Sequence, residues 1–413
     1  MNNTLFWIVS QLGRRLWLRA TFFCLIGIAT ALLGVLLKDH LPAGLSYRIG
    51  ANSVDGILTI IASSMLAVTT FSLSIMVSAY TAASSSATPR VTELLLSDST
   101  SQNALSVFIG AFLFSLAGII TLKIGIYGDN GRLVLFVVTI AVVLSIVMML
   151  LRWISHLSHL GRIGHTIDMV ESQTRATFKR YLDRPLMGCL PLPQVLPARA
   201  APLPCDRVGY IENIDTGHLQ KVAQAQGIDI FLMARPGSFS DGVHPVIYTS
   251  TPVDESTAGA ILSAIAIDGA RSFTQDPRYC MIVLSEISSR ALSPAVNDPG
   301  TAIDVIGTQL RLLTPLAQTP QITEAEDTYD NVYAPAIDMQ DIVNDAFMAT
   351  ARDGAALFEV CMRLQKALAV LAQSKNADLA QSARNAAKDA LALATQAIVL
   401  DGQRAAIAKA CPA

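Results

Sequence analysis

The stretch Gly56–Tyr80, GILTIIASSMLAVTTFSLSIMVSAY, runs without a single charged side chain. The hydrocarbon core of a bilayer takes about 20 apolar residues in a helix, and this stretch is long enough to cross it. It is not uniformly apolar. Ser63, Ala67, Thr70, Ser74 and Ser78, then Thr81 and Ser85, recur at steps of three or four. That spacing puts them on one face of a helix. Small residues allow helices to approach closely in lipid, and that is one use for the stripe. The other is to form the polar wall of a water- or ion-filled path. On that second reading the lining candidates are Ser63, Thr70, Ser74, Ser78 and Thr81, with Arg90 as a basic group at the exit.

Outward from this stretch lie three more apolar segments: roughly Thr21–Leu37, Ala104–Ile124 and Leu133–Leu151. No ionisable side chain lies mid-span in any of the four, which weighs against a proton relay or an ion-coupled pump. The expected fold class is a membrane α-helical part with four transmembrane helices, followed by a cytoplasmic α/β domain and a C-terminal helical segment. The composition agrees. The chain of 413 residues is 52% hydrophobic and only 15% charged, against about 25% charged in soluble domains. Its net charge is −2. With no basic field or basic run, nucleic acid is not an expected partner.

Basic residues in the short loops set the expected orientation. Arg14, Arg15, Arg19, Arg90, Arg152 and Arg162 fall on one side, and Lys38, Arg48, Lys123 and Arg132 on the other. This bias puts both termini and the soluble part in the cytoplasm of a bacterium, with the spans in the inner membrane. Trp7, Trp17 and Trp153 are expected at the cytoplasmic boundary, where an indole buries its ring and keeps its N–H wet. Residues 1–20 form an interfacial N-terminal segment on this reading, and 21–151 the four-helix membrane domain. The scattered cysteines (24, 189, 205, 280, 361 and 411) suit reduced thiols.

Residues 152–205 read as a juxtamembrane helix continuing the last span, then a Pro-rich linker. His156, His159 and His165 lie in that helix without an acidic or cysteine partner at ligand spacing. Neither a metal nor another cofactor is expected. Residues 206–317 read as a soluble α/β domain. Val208–Ile214 is an expected strand. Thr216–Gln226 is an expected helix, capped by Asp215 or Thr216 and closed by Gly227. Ile228–Ala234 and Val243–Thr249 are further strands, the latter at an edge because of Pro245. Two Asp-Pro units bracket a helix over Arg278–Arg290, and another helix over Ala302–Leu313 should stop before Pro315. Residues 318–413 read as an acidic loop, Thr319–Val332, and two long helices broken near Gln373–Ala377.

The segment around the Asp-Pro units holds the ligand or interface candidates: Arg271, Asp276, Glu286, Arg290, Ser293, Asn297, Asp298 and Thr301. Caps and turns explain several of them. Convergence on a small ion, a small molecule or a neighbouring subunit is the functional alternative. Asp276 and Asp298 could do acid–base work, but no nucleophile–base pair accompanies them. Enzymatic activity is therefore not expected, and no residue is put forward as catalytic.

Several blocks carry a resemblance. They are the Ser/Thr-rich span running into SATPR (86–90), GYIENID (209–215), PGSF (236–239), RSFTQDPRY (271–279) and LSEISSRALSPAVNDPGTA (284–302). On these the chain resembles the bacterial predicted-membrane-protein family numbered 2254 among the domains of unknown function. The resemblance implies architecture and carries over no catalytic residue. The function expected from the residues is a homo-oligomeric channel or permeation-type protein with a cytoplasmic assembly or gating domain. The alternative is a membrane-anchored ligand sensor or scaffold. The bilayer is a partner in both.

Overall fold

A computed structural model describes residues 51–124, 129–320 and 329–412, together with Thr21, Leu25 and Ala29. Nearly all of the expected span Thr21–Leu37 lies outside the described residues, as do Trp7 and Trp17. Among the described residues, three helices are long and apolar enough to cross a membrane: Val54–Ser86, Ser99–Lys123 and Arg132–Leu157. They correspond to the other three expected spans. The chain divides into two compact units.

The first unit runs to Ser85 and resumes over Thr92–His165. Helix α1 (Ala51–Ser86) leads to a 3-10 turn (Pro89–Val91) and the short α2 (Thr92–Leu96). α3 (Ser99–Lys123) and α4 (Asp129–Leu157) follow. α3 starts sharply because the Asp98 carboxylate accepts from the N–H groups of Thr100 and Ser101, satisfying donors that the first turn leaves without partners. α1 packs through Ile61, Met65 and Met76 against Ala104, Leu105, Phe108 and Ala111 of α3 and Ile146 and Trp153 of α4. Nearer the other end, Leu58 meets Phe114 and Leu135.

Trp153 is a correction to the sequence reading. It is 2% exposed, and its indole N–H donates to Ser72 Oγ at 3.0 Å within the helix packing. The hydroxyl supplied by α1 replaces the water expected at an interface. A second correction follows at the end of α4. The expected continuous helix over Arg152–Arg180 breaks at residues 158–162, where Gly161 takes φ +83° against the backbone of Ala79. α5 (Ile163–Asp183) then starts afresh.

The second unit comprises Ser86–Val91 and the chain from Thr166 onward. Its strands are β1 (Cys189–Pro191), β2 (Ala201–Leu203), β3 (Val208–Ile214), β4 (Ile230–Leu232), β5 (Phe239–Asp241), β6 (Ile247–Thr249), β7 (Ile265–Asp268) and β8 (Tyr329–Ala334). One sheet has the order β1-β8-β4-β6-β2, the other β5-β3-β7. Between β3 and β4 lies α6 (Thr216–Gln226), capped by Asp215 and closed by Gly227 in the left-handed region, as its sequence predicts. α7 (Glu255–Ser263) precedes β7. Apolar residues of these elements, among them Ile211, Leu219, Ile230, Leu232, Ile247, Ile261 and Val332, form one core.

Three expectations change here. The Pro-rich segment contributes β1 and β2, and proline is tolerated there because these are the outermost strands of the sheet. β6 pairs with both β4 and β2 rather than lying at an edge, since Pro245 precedes the strand and removes none of its donors. The acidic segment ends in β8, which pairs in parallel with β1 and β4.

Helices complete the unit: α8 (Pro277–Ala291), α9 (Pro299–Gln318), α10 (Met339–Asp353), α11 (Phe358–Leu371), α12 (Ala377–Ala397) and α13 (Asp401–Ala410). α8 packs on α9 and α10, α10 on α12, and α11 on α9, α12 and α13. α9 continues through Pro315 to Gln318 instead of stopping before the proline. A proline costs the helix one hydrogen bond. Burial of Leu312, Leu313 and Leu316 on one face holds the last turn in place. The tail is four helices, α10 to α13, where two were expected. One of the breaks falls near Gln373–Ala377, where Asn376 caps α12.

Candidate functional site

On α1, the packed side chains Leu58, Ile61, Met65, Ser72, Met76, Ala79 and Ala83 share one face. At 100° per residue the hydroxyl stripe falls on the opposite face. Ser63, Ala67, Thr70, Ser74, Ser78, Thr81 and Ser85 are all exposed. Exposed Ile60 and Phe71 flank the stripe on one side, and Leu66, Leu73 and Val77 on the other. The hydroxyls of Ser63, Thr70, Ser78 and Thr81 donate to the carbonyls one turn back. Their protons are therefore satisfied within the helix, while the oxygens remain outward as acceptors.

In the second unit, the ligand or interface candidates fall into separate sets of contacts. Arg271 Nε donates to Asp276 Oδ2 at 2.7 Å, and its guanidinium lies 5.5 Å from the centre of the Tyr279 ring. Asp276 Oδ1 caps α8 through Tyr279 N at 3.0 Å. Asp298 caps α9, accepting from Thr301 N at 3.1 Å and Thr301 Oγ1 at 2.6 Å. These bonds lower its carboxyl pKa. Ser293 Oγ donates to Arg290 O at 2.7 Å, and Asn297 adopts φ +50° in the turn between α8 and α9. Glu286 turns elsewhere. It accepts from Thr88 Oγ1 at 2.8 Å and pairs with Arg90. Arg90 and Glu286, read from the sequence as parts of two different sites, thus meet in one contact.

A group that the sequence did not single out surrounds a cavity of about 320 Å³. Arg180 at the end of α5, Arg184 just after it, Arg235 after β4, and Gln275 before α8 line it. Arg235 Nη2 donates to Pro185 O at 2.9 Å, and Nη1 donates to Pro335 O. Burial lowers the Arg235 pKa, and it pushes the nearby Cys189 thiol up to about 12. No short motif announces this arrangement, because its arginines come from segments separated by β1 to β4. Arg235 also lines a second cavity of about 320 Å³, shared with Arg271, Asp276, Arg278 and Asp341.

The sequence also missed a pair in the first unit. His156 Nε2 lies 2.9 Å from Asp98 Oδ2 and 3.3 Å from Ser101 Oγ. The histidine that lacked an acidic partner along the chain obtains one through the turn that precedes α3.

Two uncharacterized proteins, from Mycobacterium tuberculosis (strain ATCC 25618 / H37Rv) and Mycobacterium bovis, are each 26% identical to this chain over 323 residues. Each alignment covers 72% of this chain and 60% of the relative, so the match spans less than two thirds of either relative. No solved structure matches. A family model described as a predicted membrane protein matches residues 13–370. With that match over most of its length, the chain belongs to the DUF2254 family of predicted membrane proteins.

Proposed function

We propose that the chain is a homo-oligomeric permeation-type protein of the bacterial inner membrane. Its spans bound a path, and its α/β and helical unit, in the cytoplasm, assembles or gates that path. One observation carries the reading: the hydroxyl stripe on α1 points away from the helix's own packed face. A bare hydrocarbon neighbour gains nothing from such a face. A neighbouring copy's helix gains close approach, and water gains acceptor oxygens. The orientation rests on the loop arginines, and the inner-membrane location on the family and the apolar helices.

Flux through proteoliposomes tests it. Ser74→Leu and Thr70→Leu put bulky apolar groups on the stripe at exposed positions, opposite the packed face of α1. Flux should fall while the assembled size stays that of the wild type. Unchanged flux in both variants, or no flux in the wild type, removes the stripe from the function.

The second reading is a membrane-anchored ligand sensor, favoured by the arginine-lined cavity. A ligand response without any flux selects it over the first.

A further inference from the structure

We infer that the cavity between α5 and the loop after β4 binds the phosphate group of a small phosphorylated molecule. Three guanidinium groups, those of Arg180, Arg184 and Arg235, face one carboxylate, Asp183, in its wall. The hydrogen bonds of Arg235 to Pro185 and Pro335 go to neutral carbonyl oxygens. Asp276, which acts on Arg235 electrostatically, is itself paired with Arg271. Arg184 has no carboxylate partner among the described residues. Arg180 Nη2 donates to Thr177 Oγ1, a neutral hydroxyl, at 3.1 Å. Three guanidinium groups thus stand against one carboxylate among the side chains that line the cavity.

The other polar groups suit an oxyanion as well. Gln275 Oε1 accepts from Ile214 N at 3.2 Å. That bond fixes the amide and leaves Nε2, which has no partner among the described residues, as a donor. Guanidinium forks match phosphate and carboxylate oxygens alike. A phosphate monoester carries a charge of about −1.5 to −2 at neutral pH, and so fits a wall of three guanidinium groups and one carboxylate better than a single carboxylate does. The volume exceeds what phosphate alone fills, and Tyr181, Met187 and Ile214 offer apolar wall to an organic body. The inference does not depend on whether α1 lines a path.

The test is calorimetry on the full-length protein in nanodiscs of phosphatidylcholine, titrated with inorganic phosphate, pyrophosphate and adenosine monophosphate. Saturable binding is expected, with the organic phosphate tighter than inorganic phosphate. Arg180→Gln, in the last turn of α5, and Arg184→Gln, just after it, both at exposed positions, should each weaken it by about tenfold, the effect of losing one charge-assisted hydrogen bond. Arg199→Gln, outside the cavity, should leave it unchanged. A second preparation in phosphatidylglycerol separates the sources: loss of binding there assigns the phosphate to a lipid headgroup at the same arginines. No saturable binding of any probe at millimolar concentration overturns the inference, and so does equal binding by both cavity variants. Flux without binding sinks this inference alone, and binding without flux sinks the permeation reading alone.

Discussion

Gly237 lies against the carboxylate of Asp276 so closely that a methyl group on its Cα would overlap Asp276 Oδ2. Position 237 also has φ +93°, a conformation in which side chains are strained. One contact accounts for two blocks of sequence. The PGSF turn needs glycine because the aspartate of FTQDP, 2% exposed, caps α8 and holds Arg271 at that spot. Gly237→Ala should therefore lower the stability of the second unit by about 2 kcal/mol or more, since neither the turn nor the capped helix can yield cheaply. Thermal unfolding in detergent measures it. A melting temperature equal to the wild type's would show that the turn shifts freely.

The contact of Glu286 with Thr88 and Arg90 ties the segment that follows α1 to α8 within the second unit. Thr88 is 3% exposed, whereas the Arg90 side chain is half exposed. Thr88→Val should cost about 1 kcal/mol, the net worth of one hydrogen bond. Arg90→Gln should cost well below that, as exposed ion pairs do. Hydrogen exchange over Ser86–Val91 separates the two: protection should drop more for Thr88→Val. The reverse order would show that the ion pair, not the buried hydroxyl, holds the segment.

Asp98 both caps α3 and pairs with His156 on α4. Asp98→Ala loses both and should destabilise the helical unit by about 1–2 kcal/mol. Asp98→Asn keeps a capping oxygen and should lose less. His156→Gln should match Asp98→Asn, because each alters the contact between the two side chains and leaves the cap. Unfolding in increasing denaturant in mixed micelles ranks the three, and equal midpoints for Asp98→Ala and Asp98→Asn would contradict a capping role.

Glu171 on α5 accepts from Arg311 at 2.6 and 3.2 Å, and also from Arg175 at 2.8 Å. The Arg311 guanidinium holds its carboxyl below the usual glutamate range. The folded value is thus below the unfolded value of about 4.3. The stabilisation is complete above that pH and is lost as pH falls through the folded value. Melting temperatures of the wild type and Glu171→Gln should differ at neutral pH and converge in acid. A gap that widens on acidification would reverse the sign and rule out the assignment.

Local chemistry was legible wherever the chain itself supplied both the cause and the effect. Apolar length gave the helices Val54–Ser86, Ser99–Lys123 and Arg132–Leu157, which are long and apolar enough to cross a membrane. Asp215 and Gly227 bounded α6, and the Asp-Pro units started α8 and α9. Each depends on residues within a few positions of one another. By contrast, β1, β2 and β8 are short strands in proline-rich and acidic surroundings, and they exist only because distant strands offer them backbone partners: β4 to β8, β8 in turn to β1, and β6 to β2. Trp153 read as an interface residue until Ser72, from another helix, supplied its acceptor.

The sequence by itself determined that this is a membrane protein, and that α1 carries a hydroxyl stripe, because hydrophobic length and helical period are properties of a continuous segment. Only the tertiary structure decided which way the stripe faces, that Arg90 meets Glu286, and that Arg180, Arg184 and Arg235 share one cavity. Those depend on side chains brought together from distant parts of the chain, and no spacing along the chain encodes such a meeting.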